Sequence, residues 1–256
     1  MLFGICNLSI VPLRAEECDS SEMISQLLFG EPFEIIEKQK NWSKIRLSFD
    51  HFEGYIDNKQ YVEIPADFYA SLCLEIPTYS GEILDFVTNE KSELTTIALG
   101  AQLPFFKEGK LKLGNATYAY DSAVFQGVLP KTEILKTAFT YLNTPFLWGG
   151  KSPFGIDAAG FTQIVYKLCG YQLLRTPIAQ STQGEVLSFI EESEPGDLAF
   201  FDDEFGEIIH VGIVLNDYNI IHAHGKVRID TLDHSGIFNT DLQKHTHKLR
   251  VIKKVL

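Results

Sequence analysis

Two histidines near the carboxy-terminal end of the chain have a spacing that suits paired chemistry. His210 begins the apolar run HVGIVL, and His222 lies twelve residues later in IIHAH. If these segments pair as a hairpin through NDYN, with a turn centre at about residue 216.5, His210 stands opposite a residue near 223. The two side chains are then close enough for contact. Such a pair can supply a general base and the polar group that orients it.

A base of this kind needs a nucleophile, and the segment GIDAAGF (residues 155–161) has the setting for one. Asp157 can cap a helix that begins after it. The unpaired N–H groups and partial positive charge of a helix start lower the pKa of a cysteine thiol and can stabilise an oxyanion. The residues at that place are Ala158 and Ala159, which cannot attack a carbonyl group. Taken alone, they are only good helix formers.

No other residue supplies the missing thiol or a metal centre. Cys169 lies eleven residues after the first of these alanines, about 16 Å along a helix, so it is expected to be a packed residue at the helix end. His222 and His224 share one face of an extended strand, but the sequence shows no third metal ligand beside them. His245 and His247 are interpreted as part of a solvated turn or strand end. We therefore expect no metal and no organic cofactor.

Two helices followed by an antiparallel sheet are predicted to position these residues. The segment KTEILKTAFTYLN, from residue 131, predicts an amphipathic helix with Thr132 as its N-cap. A second helix follows Asp157, because apolar residues recur there at i, i+3, i+4 and i+7, and Gly170 can end it. Strands are predicted in DLAFFD, IIHVGIVL, NIIHAH and KVRIDTL, and the second is central because both of its faces are apolar. This pattern is typical of an α+β domain.

The chain before residue 129 has the pattern of short strands. In residues 1–62, several strands of about five residues alternate with polar turns, which favours a small β-barrel. Residues 63–128 hold further glycine-bounded strands and are interpreted as a second small β module. The predicted organisation therefore has three parts, with bounds 1–62, 63–128 and 129–256.

Composition excludes several kinds of partner. The formal net charge of −12 argues against a nucleic-acid partner, which requires a basic face. The four cysteines are widely and irregularly spaced, so free thiols in a reducing compartment are expected. The amino terminus lacks a basic n-region, and no stretch reaches the roughly 18 apolar residues of a membrane helix. The chain is therefore predicted to be cytoplasmic and not membrane-bound, while its oligomeric state stays open.

Four segments together resemble the NlpC/P60 family of cell-wall cysteine peptidases. They are TPFLWGGKSPFGIDAAGFTQIVYKL, EPGDLAFFD, HVGIVL and IIHAHGKVRID, and they follow in matching order over about residues 131–256. The family motif Asp-Cys-Ser/Ala-Gly aligns with residues 157–160, so the resemblance implies that Ala158 occupies the nucleophile position. It also implies that His210 is the general base and that His222 orients it. The fold implied is a papain-like α+β domain.

The resemblance implies a substrate pocket as well. Trp148 matches the family's loop tryptophan, and the two glycines after it suggest an exposed, shaped loop. After the nucleophile helix, the family usually carries Arg-Asp, and the Asp binds the substrate's free amine. This chain has Arg175-Thr176, so the carboxylate for that contact is missing here. Asp157 and Ala159, which flank the nucleophile position, are counted with these substrate-binding residues.

The segments NWSKIRL and EGYIDNKQY resemble a bacterial SH3 module. The full layout, with two SH3-like modules before the peptidase domain, resembles the γ-D-glutamyl-L-diamino acid endopeptidases. These enzymes cut muropeptides between D-isoglutamate and the diamino acid, and they require a free N-terminal L-Ala. Glu16 and Tyr55 of the first module are candidates for binding that L-Ala. The resemblance thus implies a small muropeptide partner during cell-wall recycling.

Because position 158 is alanine, we expect the chain as written to have negligible peptidase activity. The missing thiol has two explanations: a substitution made in the laboratory, or a natural pseudoenzyme that binds muropeptides without cutting them. A hypothesis of a different class is a non-catalytic scaffold that works through its SH3 modules and a peptide partner.

Overall fold

The computed structural model describes residues 2–256, which fall into two compact units. The amino-terminal unit comprises Met1–Gly127 together with Gly149–Pro153, and the carboxy-terminal unit comprises Val128–Trp148 and Phe154–Leu256. One short segment of the later sequence is therefore part of the earlier unit.

A seven-stranded antiparallel sheet forms the first half of the amino-terminal unit. Its strands are β1 (Leu2–Ile5), β2 (Ile10–Arg14), β3 (Met23–Leu28), β4 (Pro32–Lys38), β5 (Trp42–Leu47), β6 (Glu53–Asp57) and β7 (Val62–Ile64), in the order β3-β2-β6-β5-β4-β1-β7. In β5 and β6 every second residue is buried, so one face of the sheet closes on a core. Val11, Phe33, Ile45 and Ile56 are fully buried in it.

The second half of this unit has one helix and six short strands. These are α1 (Ala66–Leu74), β8 (Thr78–Ser80), β9 (Leu84–Asn89), β10 (Leu94–Ala98), β11 (Lys110–Leu113), β12 (Ala116–Ala119) and β13 (Val124–Gln126). Strands β10-β9-β12-β11 form one sheet and β13-β8 another. Ile5 and Phe29 of the first half share a core cluster with Val87 and Leu111 of the second. Strand β7 runs through the predicted border at residue 62, and the SH3-like nature of residues 63–128 stays a prediction.

The Gly149–Pro153 segment is anchored by buried polar contacts, and the expectation that its glycines are exposed is wrong. Gly149 is buried at φ +73°, and a Cβ there would lie 2.2 Å from the Met23 carbonyl oxygen, so only glycine fits. In strand β14 (Lys151–Ser152), the Lys151 amide donates to Gln26 Oε1 at 2.8 Å. The Lys151 ammonium lies 3.0 and 3.1 Å from the two carboxylate oxygens of Glu31. The segment is therefore held from inside the amino-terminal unit.

The carboxy-terminal unit combines three helices with a seven-stranded antiparallel sheet. Its elements are α2 (Lys131–Thr140), β15 (Gly155–Ile156), α3 (Ala158–Leu168), α4 (Pro177–Gln180), β16 (Glu185–Leu187), β17 (Leu198–Asp202), β18 (Ile208–Val214), β19 (Asn219–His224), β20 (Lys226–Asp233), β21 (Gly236–Asn239) and β22 (Lys244–Lys254). The sheet order is β16-β22-β17-β18-β19-β20-β21, so the predicted central position of β18 is confirmed, and β21 also pairs with β22. The predicted cap at Thr132 is wrong, because Pro130 takes the N-cap position of α2 and no side chain caps it.

Helix α3 is the element that the sequence predicted most closely. Asp157 caps it, since its carboxylate accepts a hydrogen bond from the Gly160 amide at 2.6 Å. Gly170 ends it in the left-handed conformation, with φ +86°, and its amide donates to the Lys167 carbonyl oxygen. Every residue of α3 is buried, and the helix packs against β18 and β19. Its first residue, Ala158, is therefore fixed relative to the strands that carry the two histidines.

Candidate active site

The contact between His210 and His222 that the sequence predicted is present in the structure. In the β18–β19 hairpin, Gly212 stands opposite His222, so His210 is its diagonal neighbour on the same face. The Nε2 atom of His210 lies 2.8 Å from Nδ1 of His222, and the two rings are perpendicular. Gly212 permits this approach, because a Cβ there would lie 2.9 Å from Cβ of His222. The turn is centred on residue 217, half a residue from its predicted place.

Asp230 extends this pair into a chain of three groups, and sequence reasoning missed it. Its Oδ2 lies 3.2 Å from Nε2 of His222, and the Arg228 guanidinium donates to both carboxylate oxygens, at 2.7 and 2.9 Å. Burial raises the pKa of Asp230, but the hydrogen bonds from His222 and Arg228 outweigh it and hold the pKa at about 2. The side chain is therefore an anion at neutral pH.

The Asp230 anion decides which nitrogen atoms carry protons. A carboxylate only accepts hydrogen bonds, so Nε2 of His222 must donate to it and Nδ1 of His222 keeps its lone pair. That lone pair accepts from Nε2 of His210, which leaves Nδ1 of His210 as the basic atom available to a reacting group. Burial lowers the pKa of both histidines, well below the ordinary value for His210. Both rings are thus neutral at pH 7, as a general base must be.

The start of α3 is held by an ion pair between a buried arginine and a partly buried aspartate. Arg175 donates from its two terminal nitrogen atoms to the two carboxylate oxygens of Asp157, at 3.0 and 2.6 Å. This bidentate pair fixes the carboxylate that caps the helix. Ala158 and Ala159, the first two residues of α3, are only 6% and 2% exposed. The predicted nucleophile position, Ala158, therefore lies at a firmly held helix start, and its side chain is only a methyl group.

Gln180 braces this helix start, and Thr176 caps the neighbouring helix α4. Gln180 is fully buried, and its amide nitrogen donates to the Ala159 carbonyl oxygen at 3.0 Å. Its amide oxygen accepts from the Thr162 hydroxyl at 2.7 Å. Thr176 caps α4 by accepting from the Ala179 amide, so the residue at the family's amine-binding position has a structural contact here. Sequence reasoning did not single out Gln180.

The remaining predicted binding residues lie in both units. Trp148 belongs to the carboxy-terminal unit and is 63% exposed. Glu16 lies in an exposed turn between β2 and β3, and Tyr55 stands opposite Arg14 on β6, both in the amino-terminal unit. Their part in substrate binding stays a prediction.

A third histidine, His247, reaches the pair, and its interpretation as part of a solvated strand end is wrong. The His247 ring stacks on His210 with centroids 4.1 Å apart. Its neighbour His245 is exposed and contacts Asp233 at 2.8 Å. Burial, followed by the neighbouring His222 and His224, lowers the pKa of His247 to about 3. The ligand nitrogens of His210, His222 and His247 all lie within 4.8 Å of one another, so the third nitrogen that the sequence did not reveal is present.

Two segments of the chain match models of known protein families. Residues 143–249 match the model of the NlpC/P60 family, and residues 13–60 match that of the bacterial dipeptidyl-peptidase Sh3 domain. The chain is 24% identical over 253 residues to dipeptidyl-peptidase 6 of Lysinibacillus sphaericus, covering 86% of this chain and 88% of the relative. It is 26% identical over 229 residues to a γ-D-glutamyl-L-lysine dipeptidyl-peptidase of Bacillus cereus, covering 80% and 68% of the two chains.

A solved structure shares the fold over nearly the whole length. The crystal structure of an NlpC/P60 family protein from Bacillus cereus superposes with a TM-score of 0.83 and covers 99% of each chain at 19% identity. An NlpC/P60 endopeptidase from Photobacterium damselae gives a TM-score of 0.72 at 16% identity, over 97% of this chain and 70% of that one. Among residues 2–256, no helix has both the length and the apolar character needed to cross a membrane.

Proposed function

We propose that this chain, whose residues 143–249 match the NlpC/P60 family and whose residues 13–60 match the bacterial dipeptidyl-peptidase Sh3 domain, recognises muropeptides of the type L-Ala-γ-D-Glu-diamino acid. In this proposal Ala158 occupies the nucleophile position of a γ-D-glutamyl–diamino acid peptidase with a papain-like arrangement. The chain as written binds the peptide and does not cut it. The family supplies the class of reaction, a peptidase hydrolysis.

The single observation that carries the proposal is the hydrogen-bonded chain from His210 through His222 to Asp230. A chain of this kind orients a neutral imidazole and stabilises the charge that it acquires on accepting a proton. A histidine that only filled the core would not need a buried anion two hydrogen bonds away. The helix start at Ala158, packed against the same strands, is the natural place for the group that such a base would serve.

With a thiol at position 158, the chemistry of the site follows from its proton positions. Nδ1 of His210 takes the thiol proton, and the thiolate attacks the carbonyl carbon of the γ-glutamyl bond. The imidazolium then protonates the departing amine of the diamino acid, which leaves a thioester. Water hydrolyses the thioester with His210 again as base. The amide groups at the start of α3 stabilise the oxyanion, since helix-start amides lack intrahelical partners.

The test is Ala158→Cys, with hydrolysis of L-Ala-γ-D-Glu-diaminopimelate followed by chromatography. We expect no turnover by the parent chain and a gain of at least ~10³-fold for the variant, because the rest of the machinery is retained. Ala159→Cys is the matched control, since it adds the same thiol one residue along the same helix. Equal activity of the two variants contradicts the assignment of position 158.

Calorimetry with the same peptide tests recognition separately from catalysis. We expect the parent chain to bind the peptide, and binding without gain of activity in Ala158→Cys would favour the pseudoenzyme form of the proposal. Absence of both binding and activity would count against the muropeptide itself and favour a scaffold that works through a peptide partner.

Recycling of free muropeptides in the cytoplasm is part of this proposal. All four cysteines are free thiols, and two of them, Cys18 and Cys73, are exposed, which suits a reducing compartment. Fractionation of the source cells, with an antibody against the chain, would locate the protein, and recovery outside the cytoplasm would contradict this part.

A further inference from the structure

We propose that His210, His222 and His247 form a binding site for one divalent transition-metal ion of the zinc class. The three ligand nitrogens lie within 4.8 Å of one another. A zinc ion bound tetrahedrally at 2.0–2.1 Å places its nitrogen ligands ~3.3 Å apart, so side-chain rotations that part the His210–His222 hydrogen bond and unstack the His247 ring from His210 bring these atoms into place. Three histidines and a water molecule are one of the ligand sets that zinc accepts.

The strands hold the three rings from different directions. His210 and His222 come from the adjacent strands β18 and β19, and His247 comes from β22, on the far side of β17. The His222 ring is perpendicular to both of the others, with centroids 5.1 Å from His210 and 5.6 Å from His247. Rings carried by three strands can be turned around one ion, whereas rings along a single strand would lie in a row.

An irregularity in β22 is what turns His247 toward the pair. His245 stands opposite Phe238, while His247 stands opposite Ile237, so Thr246 is an extra residue in the ladder. Because of this bulge, His245 and His247 point to opposite faces of the sheet instead of sharing one. His245 faces solvent and Asp233, and His247 faces His210. The bulge at Thr246 therefore turns His247 inward while His245 stays on the outer face.

The surroundings suit a metal ion in two ways. Asp230 accepts from Nε2 of His222, which is the carboxylate–histidine contact that commonly fixes a metal-binding imidazole and leaves its other nitrogen for the metal. The Thr246 hydroxyl lies 2.9 Å from Nδ1 of His247 and can fix that ring similarly, which leaves Nε2 for the metal. His210 supplies Nε2 once its proton moves to Nδ1, a change of tautomer that needs no partner reagent. His247 is only partly buried, so the fourth position is open to water.

Zinc titration of the untagged protein, after dialysis against a chelator, tests the site. We expect one zinc ion per chain, and His247→Ala is expected to lower the affinity at least ~10-fold, since the loss of even an outer contact of a metal ligand costs 10–100-fold. His245→Ala is the matched control, because it removes an equal ring from the same strand on the opposite face. We expect the control to bind zinc as the parent does.

Thermal unfolding provides a second measurement on the same variants. At a zinc concentration near the dissociation constant of the parent, zinc should raise the melting temperature of the parent and of His245→Ala, and should raise that of His247→Ala much less. If His247→Ala does not fold, His247→Phe keeps the ring stack on His210 and removes only the nitrogen atoms. Absence of a saturable site in the parent, or equal zinc affinity in the His245 and His247 variants, overturns the proposal.

Discussion

Replacing Asp230 by asparagine should remove a measurable share of the stability of the carboxy-terminal unit. The pKa of Asp230 is about 2 in the folded chain, against an ordinary value of 3.8. A difference approaching two units corresponds to about 2 kcal/mol of folding stability at pH 7, at 1.36 kcal/mol per unit. Asparagine keeps the shape and one accepting oxygen but loses the charge. We therefore expect Asp230→Asn to cost about 2 kcal/mol at neutral pH.

The difference in folding stability between the parent and Asp230→Asn should also depend on pH in a predictable direction. A carboxyl group whose folded pKa is depressed contributes its stability above its unfolded pKa, and the contribution is lost as the pH falls through the folded value. The difference between parent and variant should therefore be constant above about pH 5, fall to about 1 kcal/mol at pH 3, and nearly vanish below pH 2. The variant itself cannot titrate at this position.

Hydrogen exchange of peptides from β19 and β20 at increasing urea is the assay, because the two units need not unfold together. Labelling times are scaled to the intrinsic exchange rate at each pH. Asp233→Asn is the matched control, since that carboxylate lies on the same strand but is 46% exposed and should contribute less. A pH-independent difference between the parent and Asp230→Asn, or a larger effect at Asp233, would refute the assignment of a buried, charged Asp230.

Two more predictions concern the start of α3 and the thiols. Asp157→Ala removes the helix cap and the bidentate ion-pair contact to Arg175, so we expect a loss of about 3 kcal/mol in urea unfolding, while Asp157→Asn, which keeps a capping oxygen, should cost less. A loss for Asp157→Ala no greater than for Asp157→Asn would speak against the cap. The native chain should react with a thiol reagent at only two of its four cysteines, because burial raises the pKa of Cys6 to about 12 and also raises that of Cys169. Peptide mapping should find the label on Cys18 and Cys73, and fast labelling of Cys169 would contradict its place in the core.

Local patterns in the sequence were enough to predict α3 and the β18–β19 hairpin. The apolar spacing after Asp157, and the glycine that follows it, predicted α3 with its cap and its end, since a helix start and stop depend on a few neighbouring residues. The β18–β19 hairpin followed from two apolar runs and a polar turn. Its register was predicted to within half a residue, and that was sufficient to bring His210 and His222 together.

These local patterns did not predict contacts between segments that are distant in the sequence. Asp230 sits in a strand whose alternation gives no sign that its carboxylate meets His222, because the contact depends on the pairing of β19 with β20. The glycines after Trp148 suggested an exposed loop, yet Gly149 is buried because residues 149–153 pack into the amino-terminal unit. Sequence alone cannot show which unit a short segment joins.

The sequence by itself determined that the chain holds a helix start without a nucleophile and two histidines within reach of each other. Those features rest on periodicity, capping and a single short hairpin, all of which act over a few residues. Only the tertiary structure decided that a third histidine joins the pair. His247 is 25 residues from His222 along the chain, and a bulge at Thr246 reverses the face that strict alternation would give it. A bulge depends on how a strand pairs with its neighbours, so the residue pattern within β22 alone does not predict it.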